Sequence, residues 1–81
     1  MSYHWYDFVG NIGVAMILLA YLLLQTGRTA IADWRYSLVN GLGALLILVS
    51  LCFAFNLSSF IIELVWLAIS LFGLMKALRS R

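Results

Sequence analysis

The sequence predicts an all-α membrane protein: a single domain over residues 1–81 with three transmembrane helices, N-terminus out and C-terminus in, pairing as a parallel homodimer. Three observations predict it. Apolar side chains make up 65% of the chain, its mean hydropathy is +1.07 and only 10% of it is charged, against roughly a half apolar and a quarter charged in soluble domains. The few charges fence off apolar runs of membrane-crossing length. Three crossings also bring Arg28, Arg35, Lys76, Arg79 and Arg81 to one side, with no Lys or Arg on the other. The positive-inside rule makes that side cytoplasmic.

Helix 1 is expected over about residues 6–26. Asp7 and Arg28 enclose the uncharged run Phe8–Gly27, and a spanning helix needs about 20 residues. Tyr3, Trp5, Tyr6 and Phe8 sit where it meets the outer interface, a depth that amphipathic rings prefer. Gly27 can break it, since glycine accepts the left-handed conformation at a helix end. The opening residues do not read as a secretory leader, because they lack Lys and Arg and contain Asp7.

Helix 2 is expected over about 34–55. Asp33 supplies a side-chain oxygen to cap it, Trp34 and Tyr36 anchor its inner end, and Asn56 can end it. Helix 3, about 59–78, requires Glu63 inside its first turns, because Leu64–Met75 alone is too short to cross. Ser58 or Ser59 can cap it. The short outer turn makes helices 2 and 3 an antiparallel hairpin.

Apolarity does not discriminate between faces in a bilayer, so small and polar residues mark the packed ones. Helix 3 aligns Glu63, Trp66, Ser70, Gly73 and Ala77, helix 2 aligns Tyr36, Asn40, Gly43, Ile47 and Ser50, and helix 1 aligns Asn11, Leu18, Tyr21 and Gln25 with Gly10 and Gly13 nearby. By depth these divide into an outer cluster (Asn11, Ser50, Glu63, Trp66) and an inner one (Tyr21, Gln25, Tyr36, Asn40). Three stripes on three helices exceed what one small bundle covers, hence the expected dimer.

Substrate-path candidates are therefore Glu63, Trp66, Ser70, Asn40 and Ser50. Candidates for gates or interhelical polar contacts are Asn11, Tyr21, Gln25 and Tyr36. Glu63 is the only acid that must lie within a span, and an ionisable group there is a functional candidate, with proton coupling the role it would serve. Trp66, one turn on, could stack a sugar. Cys52 reads as a small apolar packer and His4 as an exposed tail residue. A single cysteine, without a second or a histidine in reach, offers no metal site. The chain has no nucleophile–base set, phosphate loop or paired carboxylates, so neither an enzyme nor a cofactor is expected, and its charge balance does not suit a nucleic-acid binder.

The runs AYLLLQTGR (Ala20–Arg28), YSLVNGLGALLILVSL (Tyr36–Leu51), FN (Phe55–Asn56) and IELVWLAISLFGL (Ile62–Leu74) resemble an uncharacterised family of short three-span bacterial membrane proteins first catalogued from a Coxiella open reading frame. The likeness covers about Gly10 to Leu74 and carries no activity with it. More loosely, three spans, an outside N-terminus and a helix 1 ending in Gln25 resemble the half-SWEET (PQ-loop) sugar transporters, with Leu24 standing where those have proline. That resemblance implies a pathway between parallel dimers, with Trp66 and Asn40 as analogues of the sugar-facing Trp and Asn. The expected function is a bacterial inner-membrane half-transporter-like homodimer passing a small polar solute; the alternative is a structural or accessory subunit of a larger membrane complex. The lipid bilayer is the partner common to both.

Overall fold

A computed structural model describes residues 3–79. Arg81, assigned above to the cationic end, lies outside them. Three helices follow in order: α1 (Trp5–Gln25), α2 (Trp34–Leu51) and α3 (Leu57–Arg79), each long and apolar enough to cross a membrane. At 1.5 Å per residue they measure roughly 27–35 Å, matching a hydrocarbon core of about 30 Å. In length and composition these are the helices of a multi-pass membrane protein.

Neighbours in sequence run antiparallel. α2 is central: α1 and α3 each pack on it and not on one another. The result is an open three-helix bundle, 45 × 23 × 18 Å.

No large side chain is wholly buried among the described residues; the core consists of Gly13, Ala20, Ser37, Asn40, Gly41, Gly43, Ala44, Ser70 and Ala77. Where lipid is as apolar as leucine, burying large side chains gains little, and close approach of backbones takes over. The α1–α2 seam shows this at Gly13 and Gly43: a Cβ on Gly13 would lie 2.5 Å from the Gly43 carbonyl oxygen, and one on Gly43 would lie 2.8 Å from that of Gly13. Gly10 abuts Ser50 on the same seam, while the α2–α3 seam pairs Ser37 with Gly73 and Gly41 with Ser70.

The helix ends follow local chemistry. α1 stops one residue short of the expected end. Thr26 is its cap, and Gly27, at φ +78°, lets Arg28 N–H reach the Leu23 carbonyl (2.9 Å) and its own N–H reach Leu24 (3.2 Å), a Schellman closure. At the other end the Asp7 carboxylate accepts from His4 N–H (2.9 Å), and the His4 ring, exposed as expected, stacks on Tyr6 at 4.8 Å. Asp33 caps α2, accepting from Arg35 N–H (2.9 Å). The Arg35 guanidinium also bonds that carboxylate (3.1 and 3.3 Å) and holds its pKa below the usual aspartate value of 3.8.

The second turn corrects the expected boundaries. α2 ends at Leu51, not near residue 55, and Asn56 begins α3 rather than ending α2. The N–H groups of Phe53 and Ala54 both bond the Ser50 carbonyl (3.1 Å each), closing α2 early, while Phe53 packs on Trp5 (4.8 Å) and Tyr6 (5.4 Å) of α1. Asn56 Oδ1 then accepts from Ser59 N–H (3.1 Å), so Asn56, not Ser58 or Ser59, caps α3. Asparagine is among the best N-caps, and the serines fall inside the first turn. Asn56→Ala should lower stability by about 1 kcal/mol, read as a lower midpoint of thermal unfolding by circular dichroism in detergent, with Ser58→Ala close to neutral. Cys52, read as a packer, is exposed at the end of α2.

Candidate functional site

The polar stripe of α3 lies against α2, as its spacing predicts. Its central contact joins two of the path candidates: the Trp66 indole Nε1–H donates to Asn40 Oδ1 at 3.1 Å. The Asn40 amide in turn donates to the Tyr36 carbonyl one turn earlier on α2, at 2.8 Å. Asn40 is 3% exposed and so fixed in place, whereas Trp66 is 40% exposed and presents part of its ring outward. Beside this contact small residues bring the helices close, Ser37 against Gly73 and Gly41 against Ser70.

This contact borders a half-open groove of about 230 Å³ between α2 and α3, whose lining includes Tyr36, Asn40, Trp66, Ser70 and Gly73. Three of the five path candidates, Asn40, Trp66 and Ser70, thus share one concavity, joined by Tyr36 from the gate set. The groove is mostly apolar in its walls, with polar groups at a few points, the usual composition of a small-molecule cleft.

Other candidates fall elsewhere. Ser50 does not join the path: it packs against Gly10 on the α1–α2 seam, because α2 shares its small and polar residues between two neighbours. Glu63 is not among the groove's lining residues; its Oε1 is buried without a hydrogen-bond partner among the described residues. The outer cluster is therefore not one site.

Asn11, Tyr21 and Gln25 are exposed, and among the described residues none makes a hydrogen bond between helices. The buried line of α1 runs through Gly13 and Ala20; Asn11 and Gln25 lie about 130–170° round the helix from it and Tyr21 about 90°, which leaves all three on the outer surface. Asn11 Nδ2 donates instead to the Tyr3 hydroxyl at 3.0 Å. The inner cluster thus reduces to Asn40 and Tyr36. Among the described residues, no group of three or more His, Cys, Asp or Glu is placed to hold a metal.

The residues quoted from each helix now occupy a common architecture: Tyr36 and Asn40 on α2, Trp66, Ser70 and Gly73 on α3. A family model matches residues 6–81, nearly the whole chain. The chain belongs to the uncharacterised family first named from a Coxiella open reading frame. No curated protein matches it and no solved structure does. The Coxiella-named family therefore accounts for the chain by itself, and the resemblance to half-SWEET transporters is unsupported.

Sequence reasoning missed a second hollow, of about 280 Å³, where the α1–α2 loop folds over the C-terminal end of α1 and the N-terminal end of α2, with Arg28, Asp33 and Arg35 in its lining. The cations were visible as topology signals, but only the loop's path brings them over an apolar recess.

Proposed function

We propose that this member of the Coxiella-named family is a bacterial inner-membrane protein, N-out and C-in, that works as a half-transporter-like homodimer. In this reading the Asn40–Trp66 groove of each protomer forms one wall of a path for a small polar solute. The observation that carries it is the coincidence of Asn40, Trp66, Ser70 and Tyr36 around one half-open groove. Such a groove cannot enclose a solute in one chain, so a facing copy would complete the passage. The amide held rigid by Trp66 and the Tyr36 carbonyl would meet the solute without reorganising. The orphan Oε1 of Glu63, one turn from Trp66, supports coupling of that passage to protons.

The test is uptake of a panel of labelled small sugars, polyols and amino acids into proteoliposomes under a pH gradient. At least one solute should accumulate saturably above protein-free vesicles. Trp66→Ala should cut that uptake about tenfold or more, and Glu63→Gln should abolish accumulation against the gradient while sparing downhill flux. No uptake of any solute would overturn the reading.

The accessory alternative draws on α1, whose outward Asn11, Tyr21 and Gln25 give a polar arc that a partner helix in a larger complex could satisfy. Purification in mild detergent separates the two, a stoichiometric second polypeptide favouring the accessory role and a homodimer the transport one.

A further inference from the structure

The hollow at the inner end of α1 and α2 has two chemically different parts. Leu19, Leu23 and Val39 give it an apolar wall; Arg28 and Arg35 stand at its rim. The rim also carries Asp33, but that carboxylate is engaged: Arg35 N–H and Nε–H donate to Oδ1 (2.9 and 3.3 Å), Nη2–H donates to Oδ2 (3.1 Å), and the Thr29 hydroxyl reaches Oδ2 at 3.5 Å. Asp33 and Arg35 therefore cancel, and Arg28 leaves the rim with net positive charge. The Arg28 side chain has no ion pair among the described residues. Its backbone is held over the end of α1 by the bond to the Leu23 carbonyl, next to the left-handed Gly27.

We propose that this hollow binds one anionic phospholipid per chain, its phosphate on Arg28 and an acyl chain along Leu19, Leu23 and Val39. Charge alone would suit any phosphate, but a free anion would leave the apolar wall uncovered, and a lipid covers both parts at once. A zwitterionic lipid brings the same phosphate with its own ammonium, which offsets the attraction of Arg28. The site lies at the helix-boundary depth of headgroups, on the end of the bundle that carries every described Lys and Arg. It shares Tyr36 with the Asn40–Trp66 groove but none of that groove's other lining residues, and it stands whether or not that groove passes a solute.

The experiment is native mass spectrometry of the full chain, released from detergent containing equimolar dioleoylphosphatidylglycerol and dioleoylphosphatidylcholine. One phosphatidylglycerol per chain should be retained, preferred about fivefold, the discrimination expected of one cation at a membrane surface. Arg28→Gln, a loop substitution checked for unchanged helicity by circular dichroism, should abolish the preference, and Arg79→Gln, away from the hollow, should keep it. Leu19→Trp, which fills the apolar wall at an exposed position, should lower retention of both lipids. Equal retention of the two lipids by the unaltered chain would overturn the proposal. So would equal losses from Arg28→Gln and Arg79→Gln, which indicate diffuse charge attraction, or displacement of the lipid by millimolar inorganic phosphate, which indicates a free-anion site.

Discussion

Gly13→Leu should detach α1 from the rest of the protein. The first added carbon would already lie 2.5 Å from the Gly43 carbonyl oxygen and 2.9 Å from Ile47 Cγ1, and the nearer obstacle is backbone, which cannot rotate away. Overpacking a seam costs about 1–3 kcal/mol where side chains can yield, so about 3 kcal/mol or more is expected here, a large share of the roughly 5–15 kcal/mol that holds a typical protein together. Denaturant titration in detergent, followed by tryptophan fluorescence, should show a graded loss from Gly13→Ala to Gly13→Leu. Gly41→Ala is the internal control, because its Cβ would meet Ser70 Cβ at 3.5 Å, an ordinary contact, and should be near neutral. Equal tolerance at the two glycines would refute the α1–α2 register.

Asn40→Leu should lower stability by about 1–2 kcal/mol and disable the groove, though it exchanges one side chain for another of similar size. It removes the acceptor of the Trp66 indole N–H, whose alternative surroundings are hydrocarbon. Hydrogen bonds between membrane helices average about 0.6 kcal/mol in double-mutant cycles and reach about 1.7; a buried amide that also ties to the Tyr36 carbonyl belongs near the upper end. In the cycle, Trp66→Phe on top of Asn40→Leu should cost little more than either change alone. Additive losses would mean that the two side chains do not act as a pair. In the uptake assay both single variants should lose most of the flux.

The three long apolar helices and the ends around the first turn were legible because they rest on local signals: Asp33 as a cap, Gly27 as a breaker, and the charge intervals that force Glu63 into helix 3. The α3 face was legible too, since Glu63, Trp66, Ser70, Gly73 and Ala77 repeat at helical spacing on a helix with one neighbour. α2 was misread as having a single packed face. It has two, with Asn40 directed to α3 and Gly43 and Ser50 to α1, and in a chain this apolar no leucine marks the division. α1 misled for a related reason: polar residues suggested the buried side, whereas glycine, by permitting contact with α2, determined it. Asn56 sat between two plausible jobs, ending one helix or starting the next, and only the early closure at Ser50 decided between them.

With α2 the sole spine, the first and last crossings are mechanically uncoupled. A closed triangle would transmit any tilt around its perimeter; here a displacement of one flank reaches the other only by moving the middle helix itself. The lipid proposed for the hollow would lie against Tyr36 and Val39 of the middle helix as well as Leu19 and Leu23 of the first, so its presence would be felt at the Asn40–Trp66 contact only through that shared spine.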